Sequence, residues 1–133
     1  TDFAIDAEFK LDLINDIIAA KEIYIGRYYV DKKKWISAIN RFRIVIDEYD
    51  TTIYVEEALY RLVEIYYIIG LEEEAKKYAN LLGYNYNSSE WYERSYSIFD
   101  KTYAKNKERN IKNKKNKSES ILKKFKSLFK WDE

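Results

Sequence analysis

Apolar side chains recur every three or four residues along most of this chain, the spacing that places them on one face of an α-helix. The first such stretch covers residues 3–31 and predicts one long helix, whose helix-forming residues are interrupted only by Gly26. The charged residues 31–34 end this pattern, and it restarts at Trp35. The restarted pattern predicts four more helices, at about residues 35–49, 54–69, 72–82 and 89–104.

Few residues in the chain break helices. It contains three Gly and no Pro, whereas a sandwich or barrel needs a turn signal about every 8 to 12 residues. Gly70 offers the left-handed conformation that ends a helix, and Gly83 follows the last apolar position of the fourth predicted helix. The side chains of residues 50–52 can cap the third helix. The predicted fold class is therefore all-α.

The helical pattern repeats with a period of 37 residues. Ala38 and Ala75 lie one period apart, and so do Tyr29 and Tyr66. A fixed period of this size is typical of proteins that stack helical hairpins. In tetratricopeptide units a small residue lies where the two helices cross and an aromatic residue follows three positions later, which Gly26 and Tyr29 match.

The small residues of this pattern have a physical purpose. Gly26 and Ala38 would let the backbones of two helices come close together, while aromatic side chains such as Phe42 fill the space beside them. We therefore predict a tetratricopeptide-type α-solenoid of stacked helical hairpins over residues 1–104.

Charge divides the chain into an acidic body and a basic tail. Residues 101–133 hold 12 Lys and Arg against 4 Asp and Glu, a net charge of +8, so residues 1–100 carry −7. Within the tail, assigned to residues 105–133, lysines alternate with Asn and Ser around residues 112–118, as in a solvated linker. A short amphipathic helix is predicted at about residues 119–131.

The apolar face of this tail helix would lie on an anionic membrane surface or in a partner's groove. Alternatively, the helix packs back on the acidic body. Nucleic acid is not an expected partner, because no reader motif accompanies the lysines and the acidic body would repel phosphates. The predicted contact residues of the tail are Phe125, Leu128, Phe129 and Trp131.

Composition argues against catalysis and metal binding. The chain has no Cys and no His, which removes disulfides, zinc sites of the usual kind and the commonest general base. The carboxylate clusters at residues 56–57 and 72–74 lie at predicted helix starts, where the helix dipole favours acidic side chains. We predict a protein that is not an enzyme and uses no metal or other cofactor.

Two sequence runs resemble a known family. Residues 25–29 read Ile-Gly-Arg-Tyr-Tyr, and residues 35–45 contain Ala-Ile-Asn-Arg-Phe. Both are similar to the BamD family, the tetratricopeptide lipoproteins of the bacterial machinery that assembles outer-membrane β-barrels. Agreement extends to residues 57–64, 70–71, 82–86 and 91–92, so that the resemblance covers about residues 3–100.

The resemblance implies a location and partners. Members of this family are held at the periplasmic face of the outer membrane by a lipid on an N-terminal Cys, bind the POTRA region of BamA and other assembly subunits, and help deliver unfolded barrel proteins. This chain contains no Cys to carry that lipid and no counterpart of the family's first repeats. We therefore expect a processed or partial chain whose repeats correspond to the family's C-terminal ones and dock on BamA.

The resemblance also suggests contact residues. Arg41 matches the family's interface arginine, and Asn40 is included as its neighbour. The residue pattern by itself leaves open that Arg41 is a solvated surface residue. Tyr28 and Tyr67 are the aromatics expected at the surface, because each adjoins a tyrosine that faces inward. Two other functions remain open: an adaptor that binds an extended peptide, and a peripheral membrane protein anchored by its tail.

Overall fold

The computed structural model describes residues 1–128 and, except at residues 101–107, their side chains. Over this range all regular secondary structure is helical, which confirms the predicted all-α class. The helices are α1 (Asp2–Asp31), α2 (Trp35–Glu48), α3 (Val55–Ile68), α4 (Glu72–Asn85), α5 (Glu90–Phe99) and α6 (Lys101–Leu128). Contacts divide the chain into two compact units, Thr1–Ile98 and a second that begins at Phe99.

The first unit is a stack of helical hairpins. Helix α1 packs on α2, α2 on α3 and α3 on α4. Both ends of α4 lie 37 residues beyond those of α2, and α3 lies 37 residues beyond the C-terminal half of α1. The small buried residue of α3, Ala58, has its counterpart one period later in the buried Ser95 of α5. The repeat in the sequence is therefore a repeat in three dimensions, as expected for a tetratricopeptide-like solenoid.

The core of this unit forms where the hairpins cross. Gly26 and Ala38 are buried there, and an ideal Cβ placed on Gly26 would lie only 2.6 Å from Cε1 of Phe42. The close approach predicted from Gly26 is thus present, with the Phe42 ring in the space that a side chain would fill. The buried cluster consists of Ala19, Ile23, Ala38, Ile39, Phe42, Val45, Val55, Ala58, Leu59, Leu62, Ile65 and Leu82.

The same turn closes α1 and α3, one period apart. The N–H of Lys34 donates to the carbonyl of Tyr29 at 2.9 Å, and the N–H of Leu71 donates to the carbonyl of Tyr66 at 2.8 Å. This six-residue hydrogen bond marks a Schellman motif, which requires a left-handed residue before the donor.

The two turns fill this left-handed position differently. Gly70 provides it after α3, with φ of 85°, as its place in the sequence predicts. Lys33 provides it after α1, with φ of 56°. A residue with a Cβ is strained in this conformation, so the turn after α1 is held at a local cost that the turn after α3 avoids.

One predicted helix end and one predicted helix cap are wrong. Helix α4 does not stop at Gly83 but continues to Asn85, and a Cβ on Gly83 would lie 2.5 Å from Cε2 of Tyr92. Glycine in a helix interior costs only about 1 kcal/mol, so this residue admits a neighbouring ring without ending the helix. No side chain caps α3; instead the Thr52 hydroxyl donates to the carbonyl of Tyr49 at 2.8 Å.

The tail also differs from the prediction. Helix α5 ends at Phe99 and not near residue 104, and α6 is helical through the stretch interpreted as a solvated linker, around residues 112–118. Its Asn and Ser residues each disfavour a helix by less than about 0.7 kcal/mol, and it contains no Gly or Pro. Of the predicted tail contacts, Phe125 and Leu128 are exposed on α6. Phe129 and Trp131 lie outside the described residues.

Candidate protein-binding surface

Helix α2 carries Arg41, the residue that the sequence predicts at an interface. Arg41 donates from Nη1 to Oε2 of Glu22 on α1 at 3.0 Å, and its side chain remains 37% exposed. Hydrogen bonding and charge from Glu22 raise the pKa of Arg41, and the hydroxyl of Tyr29 adds a smaller contribution. The guanidinium is thus oriented by the neighbouring helix at the surface of the hairpin.

The exposed face of α2 extends from Arg41 across the helix. Asn40, Arg43 and Ile36 all lie on it, and Ile36 is 70% exposed. We call these four residues the α2 surface. It combines two arginines, an amide and an aliphatic side chain, a mixture that occurs where proteins bind other proteins.

Ile36 also lines a depression at the start of α2. The depression has a volume of about 350 Å³ and is lined by Lys33, Lys34, Trp35, Ile36, Ser37 and Ile69. The apolar periodicity gives no sign that Ile36 is exposed, because an Ile within a helical pattern is usually counted toward the core. The depression could accept a side chain of a bound partner.

The two tyrosines predicted at the surface lie on other helices. Tyr28 on α1 is exposed, contacts the Tyr29 ring edge to face at a centroid distance of 5.7 Å, and has the Lys32 ammonium over its own ring. Tyr67 lies near the end of α3 and is also exposed. Tyr29 interacts with both Tyr28 and Arg41. Its ring contacts the Tyr28 ring, and it helps to raise the pKa of Arg41.

A buried carboxylate joins α1 to α3. Glu57 is only 7% exposed and accepts from Nε of Arg27 at 2.7 Å and from Nη2 of the same guanidinium. Nε of Arg61 lies 3.4 Å from Oε1 of Glu57, and Nη1 of Arg61 donates to Glu64 at 2.8 Å. The explanation of Glu57 as a residue that only favours a helix start is therefore incomplete. Nothing in the sequence connects it with Arg27, thirty residues earlier.

The described residues contain neither a metal-binding cluster nor a membrane-spanning helix. Among residues 1–128, no cluster of three or more acidic side chains has the geometry to hold a metal ion. None of the helices in this range is both long and apolar enough to cross a membrane.

Comparison with known proteins identifies relatives of this chain. A family model described as YfiO, outer membrane lipoprotein, matches residues 1–82. The chain is 55% identical over 98 residues to the outer membrane protein assembly factor BamD of Rickettsia prowazekii, covering 74% of this chain and 39% of that protein. It is 45% identical over 100 residues to the protein of the same name from Caulobacter vibrioides, covering 75% and 33%.

The similarity extends to a more distant group of bacteria and covers a limited part of each relative. The BamD protein of Neisseria meningitidis serogroup A is 31% identical over 87 residues, which is 65% of this chain and 33% of that protein. The chain thus spans between a third and two fifths of the length of the relatives it matches.

Proposed function

Because the chain belongs to the YfiO/BamD family of outer membrane lipoproteins, we propose that it is a scaffold of outer-membrane protein assembly that binds the POTRA region of BamA. The observation that carries this proposal is the Arg41 guanidinium, which is partly exposed and held by Glu22 on a rigid helical hairpin. The relatives are named outer membrane protein assembly factors. We infer that assembly of this kind requires contact with other proteins.

The geometry of Arg41 suits a partner carboxylate. A guanidinium has five N–H donors, and the bond to Glu22 occupies one of them. The others can form a bidentate pair with an Asp or Glu of the partner, an arrangement in which Arg gives both affinity and orientation. Because Glu22 already restricts the Arg41 side chain, binding would cost less side-chain entropy than it would for an unrestrained Arg.

The rest of the α2 surface would complete the contact. Ile36 can enter an apolar pocket of the partner, and Asn40 can hydrogen-bond at the rim. A few such anchors commonly dominate the affinity of an interface, while surrounding residues exclude water. The stacked hairpins keep these side chains in fixed positions before binding, so no folding step accompanies association.

The proposed site of action is the periplasmic face of the outer membrane. The description of the family as outer membrane lipoproteins supports this location. Other subunits of the assembly machinery and unfolded barrel proteins are further proposed partners, and any lipid anchor would lie outside this chain, which contains no Cys.

Substituting Arg41 tests the proposal directly. Arg41→Ala should weaken binding to the purified POTRA region of BamA by at least about tenfold, as expected for loss of an interfacial arginine, measured by isothermal titration calorimetry. The matched control is Arg94→Ala on α5, which removes a partly exposed arginine paired with Glu90 at 2.6 Å. The control should bind like the unmodified chain. Equal affinities for all three proteins would refute the proposed role of Arg41, and absence of binding by the unmodified chain would refute the proposed partner.

A further inference from the structure

Helix α6 combines a high positive charge with exposed apolar side chains. Residues 108–128 contain eight Lys and Arg against two Glu, a net charge of +6. Every side chain in this range is exposed. The large apolar ones among them are Ile111, Ile121, Leu122, Phe125 and Leu128.

The apolar side chains in the last part of α6 share one face. At about 100° per residue, Ile121, Leu122, Phe125 and Leu128 fall within an arc of about 120°. The lysines of residues 118–128 lie outside this arc. Ser118 falls inside it, but its hydroxyl donates to the carbonyl of Lys115 at 2.8 Å, so that it can enter an apolar environment with its hydrogen bond made.

Burial contributes little to the stability of residues 108–128. No side chain of residues 108–128 is buried, whereas most helices in proteins are stabilised by packing of an apolar face. The stretch is also rich in Asn and Lys rather than Ala or Leu. A surface with an apolar interior and an anionic exterior would bury the apolar side chains and attract the lysines.

We propose that residues 108–128 of α6 lie in the interface of an anionic lipid bilayer, with the apolar arc among the acyl chains and the lysines that flank it at the headgroups. Helices with a narrow apolar face and a strongly basic remainder bind membranes in this way. Each Lys or Arg near an anionic surface raises the partition coefficient by about fivefold. The proposal concerns α6 and does not depend on the α2 surface or on BamA.

The bilayer accounts for the features of α6 better than other anionic partners do. Nucleic acid would engage the lysines through its phosphates but would leave the apolar arc in water. A bilayer accepts the exposed apolar side chains without needing a groove of complementary shape, and it meets the positive charge on both sides of the arc.

The test uses the full chain and two matched pairs of substitutions. Ile121→Glu with Leu122→Glu adds two negative charges on the apolar arc, whereas Asn113→Glu with Ser120→Glu adds the same charge on the opposite face. Binding to vesicles containing phosphatidylglycerol is measured by flotation, with vesicles of phosphatidylcholine alone for comparison. Circular dichroism reports whether each variant keeps its helical body.

The proposal predicts binding that requires phosphatidylglycerol, weakens as salt is raised, and falls at least about tenfold more for the apolar-arc pair than for the opposite-face pair. Equal losses for the two pairs would overturn it, because charge alone would then explain binding. Absence of vesicle binding would also overturn it, including the case in which the chain self-associates through the apolar arc in sedimentation measurements. Binding of both variants to the POTRA region of BamA should be unchanged, which keeps this test separate from the proposed function.

Discussion

At the scale of single residues, the crossing of α1 and α2 depends on the lack of a side chain at Gly26. Gly26 is buried against Phe42, which is itself fully buried. The pattern of small and aromatic residues is sufficient to predict this crossing, because close approach of two helices allows few residue types. The exposure of Ile36 and Arg41 could not be predicted in the same way, since it depends on how α1 and α3 flank α2.

Gly26→Ala should therefore destabilise the chain although alanine is the better helix former. The added Cβ would lie 2.6 Å from the Phe42 ring, and overpacking of this kind costs about 1–3 kcal/mol. The free energy of unfolding from urea denaturation measures the effect. A second substitution, Phe42→Leu, should reduce the cost of Gly26→Ala, and an undiminished cost in that background would contradict this explanation.

Lys33→Gly should stabilise the chain. Lys33 has φ of 56°, a conformation in which a residue with a Cβ is strained by about 1–2 kcal/mol. Glycine removes this strain, but part of the gain is offset because glycine has greater conformational entropy in the unfolded state. The expected net gain is about 1 kcal/mol in the same denaturation assay. Lys32→Gly provides the control, because Lys32 has φ of −84° and should gain nothing. A loss of stability in Lys33→Gly would show that the lysine side chain contributes more than the strained backbone costs.

At the scale of helices, the pairing of α1 with α3 involves a buried charge. Glu57 accepts both donors of the Arg27 fork, and Arg61 approaches it from the same helix. The periodicity of α1 and α3 predicts that each is a helix with an apolar face. It could not predict this pair, because a contact between residues thirty positions apart leaves no local pattern.

Arg27→Met should destabilise the chain by about 2–3 kcal/mol, because it leaves the buried Glu57 carboxylate with only the more distant Arg61. This is less than for a wholly buried pair, since about half of the Arg27 side chain is exposed. The double variant with Glu57→Leu should recover much of the loss. Lys76→Met, which breaks the exposed pair with Glu73, serves as the control and should leave the free energy of unfolding nearly unchanged. Similar losses in both single variants would argue against a special contribution from Glu57.

At the scale of the whole molecule, the described residues fall into two compact units, a stacked repeat and a second unit that contains the basic helix α6. The 37-residue period was sufficient to predict the stack, because each hairpin repeats the same crossing and the same closing turn. The continuous helix α6 was not predicted, because its polar composition resembles that of a linker and reduces helix propensity only slightly. The two parts carry the two proposals, protein binding by the α2 surface and membrane binding by α6.

Binding of BamA by the α2 surface is tested most directly by a map of the residues that contact BamA. The chain has a mass of 16.1 kDa, which suits heteronuclear magnetic resonance with an isotope-labelled chain and the unlabelled POTRA region of BamA. We predict that the largest chemical-shift changes occur at Ile36, at the Asn40 side-chain amide and at Nε–H of Arg41. Changes that instead centre on Tyr28 and Tyr67, or that are absent along the α2 surface at saturating POTRA concentration, would contradict the central claim.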